Sequence, residues 1–202
     1  MLKSNSEMLK SKYLNENDLK DFGFKFLGRN IRISSDARIY GQENISIGNN
    51  VRIDDFAILS ASNGFINIGN FVFIARNSHL SGTLGIEIKD FASMAANTVI
   101  YSASDDYSGE YLTAQAIPQE YTTQIGGLVS IGKHVIIGSS TTIIGPCILE
   151  EGCSIGAMSL VNKTTESWGI YYGIPAIRMK ERKKDLLLLE SKMLKDIWKK
   201  QL

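Results

Sequence analysis

The sequence predicts a mainly β chain wound as a parallel β-helix, and three observations carry that expectation. Over residues 131–161 an aliphatic side chain returns every six positions: Ile131, Ile137, Ile143, Leu149, Ile155 and Val161. A helix repeats near 3.6 residues and a strand at 2, so a period of six belongs to short strands joined by turns, with the aliphatic residue inward at every rung. Four residues after each comes a small or β-branched one, Val135, Thr141, Cys147, Cys153 and Ser159. Finally, the phrase at 45–53 returns at 66–74, 86–94 and 129–137, with a weaker first copy at 31–39.

The spacing of those copies places the irregularities. Starts at 45, 66 and 86 lie 21 and 20 apart, against 18 for three perfect hexads, so these coils carry small bulges at corners. The next start, at 129, lies 43 further on, which fits one coil plus about two dozen inserted residues. Rungs about 4.8 Å apart make six or seven coils a prism on the order of 30 Å long.

In chain order, residues 1–30 precede the repeat as a cap. The run Asn15-Glu16-Asn17-Asp18-Leu19 reads as the start of a short helix, with Gly23 after its last turn. Phe22, Phe24, Phe26 and Leu27 are then placed to close the open end of the coil stack. Residues 1–12 carry no signal that settles their place.

Residues 31–166 form the β-helix. Its early coils bulge at 60–64 and 81–85, both rich in turn-tolerant residues. The inserted loop occupies 104–127, and a loop of that length inside a compact repeat is commonly functional. Residues 167–202 form a C-terminal segment: the phrase Gly173-Ile174-Pro175-Ala176-Ile177-Arg178 leads into a helix expected over 181–200, with Leu186, Leu189, Met193 and Ile197 on one face.

Composition narrows the function classes. The chain has 202 residues, 44% of them hydrophobic, which suits one domain with a core. A net charge of +1 argues against a general nucleic-acid binder. No apolar run reaches the roughly 18–20 residues of a membrane span, and the polar N-terminus lacks the apolar centre of a signal peptide, so a cytoplasmic protein is expected. Cys147 and Cys153 read as small core residues kept reduced. No metal site is expected, because two histidines cannot supply the three that a zinc hydratase site requires.

The hexads, the long loop and the closing Gly-Ile-Pro-Ala-Ile-Arg phrase resemble the hexapeptide-repeat acyltransferases over residues 28–182. The resemblance implies a left-handed coil, a homotrimer and an acyl-CoA co-substrate, acetyl-CoA first, with no covalently bound cofactor. Within the family, the segment Tyr101-Ser102-Ala103-Ser104-Asp105-Asp106-Tyr107 looks most like the branch acting on sugars of surface polysaccharides. That branch holds O-antigen acetyltransferases and nucleotide-linked amino-sugar N-acyltransferases such as that of anthrose biosynthesis.

One departure from the family directs the chemistry. Relatives that acylate hydroxyls place a histidine at the foot of the loop, where this chain has Ala103 and Ser104. A sugar hydroxyl needs a strong base, whereas a neutral amine is already a nucleophile and needs positioning and a proton acceptor. Asp106 and Asp105 stand at the loop's foot and suit that role, although aspartates there also anchor turns. N-acylation of a nucleotide-linked amino-deoxy sugar is therefore expected.

The alternatives are O-acylation, with His134 as base from an exposed corner, and a non-catalytic β-helix scaffold. Ser104 and Ser102 are candidates for holding the sugar or the developing oxyanion; Tyr107 and His79 are candidates for contact with the sugar. For coenzyme A, the resemblance points to backbone groups near Gly138, Ser139, Ser140, Gly156 and Ala157, where small residues admit an extended ligand. Lys163, Arg178 and Lys180 suit the nucleotide phosphates by charge.

Overall fold

A computed structural model describes residues 12–114 and 116–199. The question of residues 1–12 therefore lies, Lys12 apart, outside the described residues, as does the side chain of Trp198. Each coil lays one short strand on each of three faces. The first face stacks Arg32–Ser34, Arg52–Ile53, Phe73–Ile74, Ser93–Met94, Ile136–Ile137, Ser154–Ile155 and Gly169–Gly173 in parallel. The second stacks Arg38–Tyr40, Ile58–Ser60, His79–Ser81, Val99–Tyr101, Thr142–Ile144 and Leu160–Val161. The third stacks Phe26–Leu27, Ile45–Ile47, Ile66–Ile68, Ile86–Ile88, Val129–Ile131 and Cys147–Leu149.

The hexad aliphatics are the core. Ile131, Ile137, Ile143 and Leu149 are fully buried, and each contributes about 1.5–3 kcal/mol by leaving water. The small positions face inward too: Val135, Thr141, Cys147, Cys153 and Ser159 are all buried. Burial pushes the Cys147 thiol up to about 11 and raises that of Cys153, so both stay protonated. Like residues stack in register, Ile45 on Ile66, Ile66 on Ile86 and Ile86 on Val129. The last pairing spans the inserted loop, so the insertion leaves the rungs undisturbed.

Corners between the third and first faces carry left-handed residues, Asn50, Phe71, Phe91 and His134, with φ between 56° and 61°. Asparagine visits that region readily, whereas an aromatic residue there is uncommon. Stacking compensates: the Phe71 and Phe91 rings lie 4.9 Å apart and nearly parallel, and His134 stacks on Phe91 at 5.0 Å. Such pairs contribute about 0.5–1.5 kcal/mol beyond burial.

The two ends revise the expected boundaries. Asn15 caps a single helical turn, α1 (Glu16–Leu19), through a reciprocal bond with Asp18, and Gly23 ends the element at φ 78°. The residue that seals this end is Leu19, 2% exposed, helped by Leu14, Phe24 and Leu27. Phe22 and Phe26, expected to close this end, remain 52% and 57% exposed, while Tyr13–Leu14 pairs antiparallel with the first coil. At the other end the Gly-Ile-Pro-Ala phrase turns a hairpin, Gly169–Gly173 against Ala176–Glu181, and the helix α2 (Leu186–Lys199) begins only after it.

Candidate functional site

The extra residues of the chain gather at one kind of corner. The bulges near 61–64 and 82–85 and the long loop all lie between a second-face strand and the following third-face strand. The loop leaves the stack through a two-stranded neck, Ala103–Asp105 antiparallel to Gln124–Gly126. Together these segments enclose a cavity of about 580 Å³. Asn63 and Leu84 come from the two bulges, Asp105 and Gln124 from the neck, and Thr113, Ile117, Gln119 and Thr122 from the loop.

Asp105 and Asp106, one residue apart, have different surroundings. Asp105 pairs across the neck with Gln124 and lines the cavity. The Asp106 carboxylate is taken up by its own turn: it accepts from the Ser108 hydroxyl at 2.8 Å and from the backbone N–H groups of Ser108, Gly109 and Tyr111. Those bonds, the Ser108 backbone N–H foremost, hold its pKa below the usual aspartate range, which suits an anchor and not a base. Of the two aspartates, Asp105 lines the cavity and Asp106 does not.

The other expected site residues divide in the same way. Ser102 is fully buried; its hydroxyl donates to Ser81 O and accepts from Leu84 N–H, both at 2.9 Å, so the expected bond to a sugar or oxyanion has no free group to make it. Ser104 sits on the neck, its hydroxyl on Asp105 O at 3.1 Å. Tyr107 points outward, 87% exposed. His79 opens a second-face strand one rung from the neck, its ring edge-on to Tyr101 at 5.6 Å, and burial lowers its pKa, leaving it neutral at pH 7.

His134 corrects an expectation. Instead of an exposed corner it occupies a buried one, 8% exposed beneath α2, with Nε2 2.8 Å from Glu190. Lys133 reaches the other oxygen of Glu190 at 2.6 Å, and Arg182 donates to the His134 and Gly152 carbonyls. Burial alone would raise the Glu190 pKa, but the bonds from Lys133 and His134 outweigh it and hold it low. His134 belongs to a clamp on the C-terminal helix, on a different corner from the loop.

The positions expected for coenzyme A lie at the corners between the first and second faces. There the backbone N–H groups of Gly138, Ser140 and Gly156 already bond to the carbonyls of Ile155, Ala96 and Tyr171, so these three cannot polarise a thioester. Their glycines serve packing as well. A Cβ at Gly138 would lie 2.4 Å from Ala157 N, and one at Gly156 would enter the Tyr172 ring. Ser139 and Ala157 remain at the same turns. Arg178 is engaged by Glu166 and Glu181, which weakens its case as a phosphate ligand, whereas Lys163 and Lys180 are exposed.

Asn63, Leu84 and the loop's Thr and Gln residues line the cavity and were not among the residues expected from the sequence. The signal was available: the surplus over 18 residues falls at the same place in three successive coils.

A stack of six-residue rungs with one long loop at a corner defines a class, and the comparisons agree. The pattern described as bacterial transferase hexapeptide (six repeats) matches residues 128–163. A dTDP-4-amino-4,6-dideoxy-D-glucose acyltransferase of Escherichia coli is 46% identical over 179 residues, 89% of this chain and 93% of that protein. The chain belongs to the hexapeptide-repeat acyltransferases. Among solved structures it is similar to a serine-to-alanine mutant of AntD, an N-acyltransferase from Bacillus cereus, in complex with dTDP-4-amino-4,6-dideoxyglucose and coenzyme A. That match has a TM-score of 0.88 at 41% identity, over 93% of this chain and 100% of the other. The same enzyme with dTDP and 3-hydroxybutyryl-CoA matches with TM-score 0.88 and 41% identity, over 93% and 99% of the two chains.

Proposed function

We propose that this protein transfers an acyl group, acetyl in the first instance, from acyl-CoA to the 4-amino group of dTDP-4-amino-4,6-dideoxyglucose. The observation that carries the reading is the loop cavity with Asp105 on its wall, in a chain 46% identical to an acyltransferase of that sugar. The amine arrives as an ammonium ion, which the carboxylate attracts. Asp105 takes one proton, and the neutral nitrogen adds to the thioester carbonyl. That addition forms the C–N bond and moves the carbonyl π pair onto oxygen, giving a tetrahedral centre whose nitrogen carries two protons. Its collapse re-forms C=O and breaks the C–S bond; the departing sulfur takes one of those N–H protons, so coenzyme A leaves as the thiol and the amide remains. Orientation supplies much of the acceleration, and a proton acceptor about 10²- to 10⁴-fold.

O-acylation would need a base strong enough for a hydroxyl, and the clamp on Glu190 occupies the histidine expected to serve. We infer a homotrimer, with the Ser139 and Ala157 corners of one copy carrying coenzyme A toward a neighbour's loop, as the family resemblance implies. We place the enzyme in the cytoplasm, where acyl-CoA and sugar nucleotides are found, in the making of a surface polysaccharide such as O-antigen.

The test is thiol release from acetyl-CoA with dTDP-4-amino-4,6-dideoxyglucose and with its 4-hydroxy analogue. Turnover of the amine alone is expected. Turnover of the hydroxyl sugar alone overturns N-acylation, and turnover of neither, with no thermal shift from millimolar acetyl-CoA, favours the scaffold.

A further inference from the structure

The cavity at the loop is mostly polar, with Leu84, Ala114 and Ile117 as its apolar lining residues. Leu84 is 43% exposed in a tight turn closed by Gly85 N–H on Gly82 O, and it lines the cavity. It is held there: its N–H is bonded to the buried Ser102 hydroxyl, which donates in turn to Ser81 O. Ile117 faces the same cavity from the loop, its N–H bonded to Ala114 O at 3.0 Å. The remaining walls carry hydroxyls and carboxamides, such as Thr83, Asn63 and Gln119, with Asp105 the one charged residue among the described lining residues.

Among the described lining residues the charge is one carboxylate and no cation, which favours an ammonium over a diphosphate. A 4-amino-4,6-dideoxy hexose offers hydroxyls on carbons 2 and 3 and one apolar substituent, the carbon-6 methyl. We propose that Leu84 and Ile117 receive that methyl and set the enzyme's preference for a 6-deoxy acceptor, with Ser102 as the positioning residue that holds Leu84 over the cavity. This rests on the proposed amino-sugar reading of the site.

An apolar wall leaves an added hydroxyl without a partner, which gives about 10- to 200-fold discrimination and no more. The experiment compares kcat/KM for dTDP-4-amino-4,6-dideoxyglucose and its 6-hydroxy counterpart, dTDP-4-amino-4-deoxyglucose. Wild type is expected to favour the 6-deoxy acceptor within that range. Leu84→Asn and Ile117→Asn bring the ratio within a few-fold of one, and Leu84→Met retains it. Ser102→Ala also narrows it, a change that loss of stability alone would not produce.

Equal use of both acceptors by wild type overturns the inference, as does an unchanged ratio in the Asn variants. The wild-type ratio decides even where a variant does not fold. Acylation of neither acceptor by wild type removes the proposed function itself, a different failure from acylation without preference.

Discussion

Asp105 and Asp106 are adjacent in sequence and opposite in use, and substitution separates them. Asp105→Asn keeps the shape and removes the proton acceptor, so kcat should fall about 10²-fold or more in a thiol-release assay, with the KM for acyl-CoA little changed. Asp106→Asn should instead loosen the turn, seen as faster amide exchange at Ser108, Gly109 and Tyr111, the N–H groups its carboxylate holds. The pH dependence follows from its lowered pKa. A carboxyl depressed on folding contributes its full stabilisation above the ordinary value of 3.8 and loses it as pH falls through the lower folded value. Protection of those amides should hold from pH 7 to about pH 5 and disappear only below about pH 4. Which aspartate faces the cavity was not legible in the sequence. The neck strand ends at Asp105, which pairs with Gln124, and Asp106 begins a turn that takes up its carboxylate.

Among the elements, the coil corner at Gly138 and the clamp on α2 are open to test. Adjacent rungs approach so closely at Gly138 that a methyl group would meet Ala157 N at 2.4 Å, backbone that cannot give way cheaply. Gly138→Ala should therefore cost about 1–3 kcal/mol, read as a lower melting temperature. The helix is held differently. Leu188 and Leu189 are 76% and 67% exposed, so little apolar area fastens α2, and Glu190 between Lys133 and His134 secures it. Glu190→Gln should cost about 1.5–3 kcal/mol and free the helix to protease before the coils unfold. The helix's existence was readable from its apolar spacing, but its start was not. The helix expected from 181 begins at Leu186: the hairpin strand Ala176–Glu181 takes its first residue, and Arg182 bonds back to the coils through Trp168 O, His134 O and Gly152 O.

For the molecule as a whole, the prediction concerns assembly and ligand. The C-terminal hairpin exposes Ile174, Ile177 and Met179 at 73%, 61% and 59%, next to the exposed leucines of α2. A homotrimer would cover such surface, so sedimentation should give three copies, and specific activity should fall on dilution below the assembly constant. Coenzyme A at 100 times its Kd should stabilise the protein by about 2.7 kcal/mol, roughly 5–11 °C for a chain of this size. A trimer with no shift would leave the fold intact and remove the acyl donor.

The sequence by itself determined the coil: a period of six has one solution, and every rung repeats the same inward aliphatic, so local pattern and global fold agree at each turn. It also marked the corner where residues are in surplus. Only the tertiary structure decided which side chains meet there. Asn63, Leu84, Asp105 and Gln119 are brought together by stacking and by a loop folding back, and contacts between residues far apart in sequence leave no periodic trace. The same holds for His134, which a helix 56 positions later turns from a corner residue into part of a buried clamp.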